Sequence, residues 1–343
     1  MMMQSGFFDL QDRYRKLSEL GDPLEAINQA VAWERFRPIL QRGLKKRRKS
    51  PAGRKPFDPV LMFKVLVLQS LYNLGDEQTE YQIRDRFSFL RFLGQTPESR
   101  VPDEKTVWLF RETLKEAGLV EKLFATFETC LAQLGYTAQK GSVVDARIVA
   151  VPKQRNTREE NTLIKAGLIP AKWVEQPAKL AQKDIEARWT QKHGKNHYGY
   201  KNHINVDVKH KLIRRYAVTP ASTHDSQVFE SLLDKHNTRR AVWADTAYAS
   251  DEHARWLRQR GIANHLQERP WRDQTLTPVQ RKRNRQRSRV RARVEHVFGH
   301  QVQAMKQTIM RTIGRARARV KIGLANLAYN MSRLAQLEQL AAT

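Results

Sequence analysis

Three acids, Asp145, Asp245 and Glu295, stand where a folded chain would ordinarily put apolar side chains. Asp145 interrupts the β-branched, apolar run Ser142–Val151, Asp245 follows the apolar run Ala241–Ala244, and Glu295 sits beside Val290, Val294, Val297 and Phe298 at helical spacing. A carboxylate near a core is costly unless a cation or a metal balances it. Taken singly, each reads equally well as a salt-bridged structural acid. Taken together, they suggest one metal site, because hard divalent cations take oxygen ligands and carboxylates on separate elements leave positions open for water or phosphate.

Positioning such a trio needs a sheet and a helix, and the signals for both are present. Upstream, Val31, Trp33, Phe36, Ile39 and Leu40 have helical spacing, and the stretch through Leu44 runs into a basic cluster and then Pro51 and Gly53. Asp58-Pro59, an N-cap followed by an N1 proline, opens an apolar helix to Leu74. Asp76 is placed to cap a second helix that carries Tyr81, Ile83, Phe87 and Phe89 to Gly94. Pro102-Asp103 opens a third, closed by Gly118, and Val120–Leu134 a fourth, stopped by Gly135. This region reads as a helical domain, either a plain bundle or a helix-turn-helix with Lys105 and Arg111 exposed.

After Gly135 the pattern turns to strands. Ser142–Val151 is a buried strand, and a polar stretch, 152–196, follows as an insertion with helical character from Ala178 to Trp189. His197–Val208 and Leu212–Val218 form a hairpin, Ser222 and Asp225 a capping box opening a helix to Asp234, and Ala241–Ala244 a short strand. That strand ends on Asp245, at the carboxyl edge where open α/β sheets carry their sites. A helix from Glu252 to Arg260, a strand at Ile262–Leu266, a helix from Ser288 through Glu295 and a last helix, Val320–Leu340, whose one buried stripe packs on its own domain or, less expected, on a partner subunit, complete the order. The expectation is a mixed α/β sheet covered by helices, with an all-helical N-terminal domain. The boundaries expected are a basic arm over 1–56, the helical domain over 57–137, the α/β domain over 138–310 and a terminal helix over 311–343.

The chain's charge names a class of partner. With 62 Lys and Arg against 35 Asp and Glu in 343 residues, the net charge is +27. Such a charge repels itself in a compact fold and fits a polyanion, with nucleic acid first. Two clusters stand out: Lys45, Lys46, Arg47, Arg48 and Lys49, and the run Arg281, Lys282, Arg283, Arg285, Arg287 and Arg289 that enters the Glu295 helix. Each reads as a solvated surface or as a DNA backbone contact, and beside a phosphate-handling site the second run favours DNA. The single cysteine, Cys130, excludes an internal disulfide or a cysteine-rich zinc site. His193 and His197 have ligand spacing, but Gly194 lies between them in a polar loop. No apolar run reaches membrane-span length and Met1–Leu10 is no signal peptide, so a cytoplasmic protein without a membrane partner is expected. Trp271 reads as core before it reads as a ring stacked on an unpaired base, and Thr223-His224-Asp225-Ser226 as helix-capping geometry before a supporting role beside the site.

The segments Val143-Val144-Asp145-Ala146, Ala244-Asp245-Thr246-Ala247-Tyr248 and Arg291-Ala292-Arg293-Val294-Glu295-His296 resemble the signature blocks of bacterial insertion-sequence transposases of the DDE class, and more narrowly the insertion sequence five family. The resemblance covers about Ala32 to Leu337. It implies a ribonuclease H-like catalytic fold and two Mg²⁺ ions, replaceable by Mn²⁺, that activate the nucleophile and stabilise the leaving oxygen. By the same resemblance Asp145 bridges both metals, while Asp245 and Glu295 each complete one. Binding to inverted-repeat ends and a target in double-stranded DNA, cleavage by water, joining by a 3′-hydroxyl, a homodimer in the active complex and a nucleoid-associated location are implied likewise. A nuclease that cuts without joining and a non-catalytic DNA-binding protein are the other readings. Related transposases carry Y-x₂-R-x₃-E-x₆-K around the glutamate, whereas here the positions hold Ser288, Arg291, Glu295 and Val302. Arg291 lies one turn before Glu295 and can meet the phosphate. Lys306, one further turn on, is placed to reach DNA, and Ser288 cannot stack on a flipped base, so no hairpin-ended product is expected.

Overall fold

The computed structural model describes residues 9–44, 55–192, 194–234, 236–270 and 274–342. Lys45 to Lys49, Trp271 and His193 lie outside these residues. Its contacts divide the chain into two units, 1–135 with 323–343, and 136–322.

The first unit contains helices α1 (Asp9–Glu19), α2 (Pro23–Ala30), α3 (Arg37–Gly43), α4 (Pro59–Tyr72), α5 (Asp76–Asp85), α6 (Phe87–Leu93), α7 (Glu104–Glu116) and α8 (Leu119–Gln133). The expected arm over 1–56 is not separate from it. Trp33, Phe36 and Leu40 are buried, and Trp33 packs on Phe63 and Phe92 with ring centroids 6.0 and 5.5 Å apart. Asp58 caps α4 as expected, accepting from the Val60 and Leu61 N–H groups at 2.9 and 3.0 Å. Asp76 does not cap α5. It takes Arg111 in a bidentate pair at 2.6 and 2.8 Å, which buries Arg111 instead of leaving it on an exposed reading face. One helix was expected from Asp76 to Gly94; the chain instead breaks at Arg86, with φ −105° and ψ 117°, into α5 and α6.

The second unit is built on six strands: β1 (Ser142–Ala150), β2 (Arg188–Lys192), β3 (Lys195–Asp207), β4 (Ile213–Pro220), β5 (Ala241–Ala244) and β6 (Ala263–Leu266). β3 pairs antiparallel with β1 along nine residues, and its other edge is shared by β2 and β4. β1–β5 and β5–β6 are parallel. The mixed sheet expected from the sequence is present, in the order β4-β3-β1-β5-β6 with β2 added on the β3 edge. The 152–196 insertion is helical earlier than expected, in α9 (Arg158–Lys165), α10 (Ala171–Val174) and α11 (Pro177–Ala181). Its end, where helix was expected to Trp189, is strand β2. Asp184 anchors this end: its buried carboxylate accepts from the Tyr200 hydroxyl at 2.8 Å and from the Gly314 N–H at 3.0 Å.

Helices α12 (Phe229–Leu232) and α13 (Asp251–Gln259) close one sheet face over Val144, Val242, Ala244, Phe229, Tyr248, Leu257 and Leu266. On β1 and β5 alternate side chains point to opposite faces, so Asp145 and Asp245 belong to the other face. There α14 (Pro278–Gln303) packs on β1, and α15 (Arg315–Ala342) contributes Ala318 and Ile322 to a cluster with Val149 and Tyr200. α14 starts ten residues before Ser288, at a capping box formed by Thr277 and Gln280. In α15, residues 322–331 are buried without a break, more than a single stripe can account for.

Candidate active site

β1 and β5 run parallel with Ser142 opposite Val242 and Val143 opposite Trp243. Carried two residues on, this register sets Asp145 and Asp245 level with each other on the α14 side. Asp145 is largely buried, with 14% of its side chain exposed, and accepts from the Ala146 N–H at 2.8 Å. Burial pushes its pKa up to about 6; Arg291 and the Ala146 N–H pull it down, Asp245 pushes it further up, and Lys192 pulls it down. Asp245 caps the short 3₁₀ turn Thr246–Tyr248, accepting from the Ala247 N–H at 2.8 Å, so its carboxylate is held at the mouth of β5.

Arg291 joins the helix to the sheet. Its guanidinium donates to Asp145 Oδ2 and to Glu295 Oε1, each at 2.8 Å. The i, i+4 spacing on α14 brings Arg291 and Glu295 to one face. Glu295 keeps 57% of its side chain exposed. The structure thus brings Asp145, Arg291 and Glu295 into contact, with Asp245 beside Asp145. Among the described residues, no three His, Cys, Asp or Glu side chains form a group that could hold a metal ion.

Around these residues lie Asp225, read from the sequence first as a helix cap, and Tyr248, Lys201 and His203, to which the sequence assigned no role. Tyr248 is fully buried, its hydroxyl has no hydrogen-bond partner among the described residues, and its pKa is driven up by burial, then by Asp225, Asp145 and Asp245. Asp225 accepts from Lys201 at 2.8 Å, and Lys201 also donates to the Thr223 carbonyl at 2.8 Å. The expected capping box of Ser222 and Asp225 is not formed: His224 caps a 3₁₀ turn, Asp225–Val228, instead. His203, buried on β3, meets Thr219 Oγ1 at 2.8 Å, and burial brings its pKa down to about 4 against the pull of Asp225. The tract Thr223-His224-Asp225-Ser226 was the available signal for this cluster. Its partners are more than 20 residues away, so local pattern could not show them.

Of the basic run on α14, Arg281, Lys282, Arg283, Arg285 and Arg289 are exposed. Arg287 is part-buried and paired, donating to Glu268 at 2.9 Å and to the Leu266 carbonyl at 2.7 Å. Lys306 is exposed but not one turn along the helix, because α14 ends at Gln303 and Lys306 has φ +55°. Ser288 Oγ accepts from Gln267 Nε2 at 2.7 Å. No described helix is long and apolar enough to cross a membrane.

Among solved structures, the chain is similar to the piggyBac transposase in a cryo-EM synaptic complex with hairpin DNA, at 12% identity and TM-score 0.47, over 93% of this chain and 76% of that one. Two family models match the sequence: Transposase domain (DUF772) over residues 11–113, and Transposase DDE domain over residues 136–331, more than half of the chain. The chain belongs to the DDE-domain transposases.

Proposed function

We propose that this transposase binds the inverted-repeat ends of its own insertion sequence and cuts and joins double-stranded DNA there, with Asp145, Asp245 and Glu295 holding two divalent cations, Mg²⁺ or Mn²⁺. One arrangement carries the reading: Asp145 and Asp245 sit level on adjacent parallel strands, beneath the helix that bears Arg291 and Glu295. The residues fit a cation in donor type and in charge. All three offer carboxylate oxygens, and burial holds the Asp145 pKa up even with Arg291 against it, so one guanidinium leaves this carboxylate under-compensated. Bound there, the ions would lower the pKa of the attacking water and stabilise the leaving oxygen.

The chain's own groups would do the positioning. Asp145 offers its oxygens from a rigid central strand. Glu295, exposed on α14, would supply the third carboxylate to the ions. Arg291, once released, donates to a non-bridging phosphate oxygen. Arg281, Lys282, Arg283, Arg285 and Arg289 track the backbone from α14, with Lys45 to Lys49 and Lys306 as further contacts. Two ends have to be held together, so the active complex is a homodimer, acting on nucleoid DNA in the cytoplasm.

Incubation with the element's own ends, a target plasmid and Mg²⁺ tests this directly. Joined products are expected. Cutting without joining reassigns the chain to the nucleases, and binding alone removes catalysis.

A further inference from the structure

Among the described residues, several buried or part-buried arginines are neutralised by an acid. Arg91 meets Asp22 at 2.6 Å, Arg111 meets Asp76 at 2.6 Å, Arg214 meets Asp207 at 3.1 Å, and Arg291 meets Asp145 at 2.8 Å. Arg147 has no such acid among the described residues. It lies two residues beyond Asp145 on β1, opposite Asn202 of β3. Strand alternation turns it to the same sheet face as Asp145, roughly 7 Å further along the strand. Its Nε is buried without an acceptor, and among the described residues its guanidinium has no carboxylate or carbonyl partner.

A desolvated cation without a partner is a cost to the fold. Such a cost persists where an incoming group relieves it, and the group that would reach this face beside the carboxylates is an anion. We propose that Arg147 is a DNA-binding residue, taking a backbone phosphate that flanks the one being cut. The guanidinium presents a planar fork matched to two phosphate oxygens, and it is set on the strand that carries Asp145. Registering the neighbouring phosphate from the same strand would fix the cut position relative to the carboxylates. This inference rests on the function proposed above.

The test uses the full chain, with Arg147→Met, which keeps the stem and removes the charge, and Arg147→Lys, which keeps the charge and removes the fork. Affinity for a duplex bearing the element's end, and for a random duplex of the same length, is measured across a salt series, with melting of the DNA-free protein alongside. Arg147→Met is expected to bind both duplexes about tenfold more weakly. Its log–log salt slope should fall by about one unit. Arg147→Lys should keep the slope and lose affinity several-fold. DNA-free Arg147→Met should melt at or above the wild type, since it loses an uncompensated charge, whereas a structural arginine would melt lower. Wild-type affinity and slope in Arg147→Met overturn the proposal, and so does a variant that fails to fold or melts well below wild type. Wild-type cleavage of the element's ends is run beside these measurements. Wild type that binds yet never cuts defeats the active-site reading while the slope still decides Arg147; wild type that cuts, with Arg147→Met indistinguishable, defeats this inference alone.

Discussion

Asp145 is held in the fold at a cost. Its pKa, about 6, stands above the ordinary 3.8, so the stability this group contributes is complete below about pH 4 and lost as the pH rises through 6. Asp145→Asn removes the charge that causes the loss. The DNA-free variant should therefore melt above the wild type at pH 7.5, by at most ~3 kcal/mol, with the gap closing toward pH 4. The same variant should neither cut nor join, while still binding element ends. Thermal melts across the pH range check the first part, and a gap that widens on acidification contradicts it. Arg291→Ala works the other way: it strips Asp145 of its cation, and about 1–3 kcal/mol of stability should go with turnover. Near-normal cutting by that variant would take Arg291 out of the site. At this scale the sequence was informative where an acid broke an apolar run, as at Asp145 and Asp245. It was silent where the partner lay far along the chain. Arg111 looked exposed because Asp76, 35 residues away, could not be seen to claim it, and Asp225 looked like a cap because Lys201 could not be seen to bind it.

Elements were legible where apolar residues marked their buried face. β1 and β5 are largely apolar runs, and α4 carries an N-cap, an N1 proline and a buried body. The first ten residues of α14 escaped because Pro278 to Arg287 is almost wholly polar and only its Thr277–Gln280 box announces a helix. α9 to α11, four to eight residues each in a polar stretch, offer no period to read. The α14 helix makes a specific prediction. Replacing exposed Arg281, Lys282, Arg283, Arg285 and Arg289 with Gln should weaken binding to all DNA alike and lower the salt slope by about one unit per lost contact. Arg287→Gln, whose native partner is Glu268, should change stability more than slope. A five-fold variant with the wild-type slope would make this face plain solvated surface. In the sheet, Gly199 has φ +151°, and a Cβ there would stand 2.2 Å from the Val149 carbonyl oxygen. Gly199→Ala should cost about 2–4 kcal/mol by urea unfolding, because the β1–β3 ladder that holds Asp145 would have to part.

The division of the whole molecule was the least legible feature, and the cause is long-range packing. The sequence reads 311–343 as a separate terminal helix with one buried stripe, yet residues 323–343 belong with 1–135 while the start of α15 belongs with 136–322. A local pattern shows that Leu324, Leu327, Met331 and Leu334 want burial; it does not show which unit supplies it. This division predicts how fragments behave. In a fragment 136–343 those four side chains, each at most 2% exposed in the full chain, lose the helical unit they pack with. Fully burying such a side chain is worth about 1.5–3 kcal/mol, so leaving four in water should drive association. Fragment 136–322 omits them while keeping Ala318 and Ile322 on the sheet, and should remain monodisperse where 136–343 aggregates. Co-expression of 1–135 should restore solubility to 136–343, because the helical unit returns the missing surface. Size-exclusion chromatography of the two fragments, alone and with 1–135, decides it: a monodisperse 136–343 on its own would mean that residues 323–343 do not depend on the N-terminal helices for their burial.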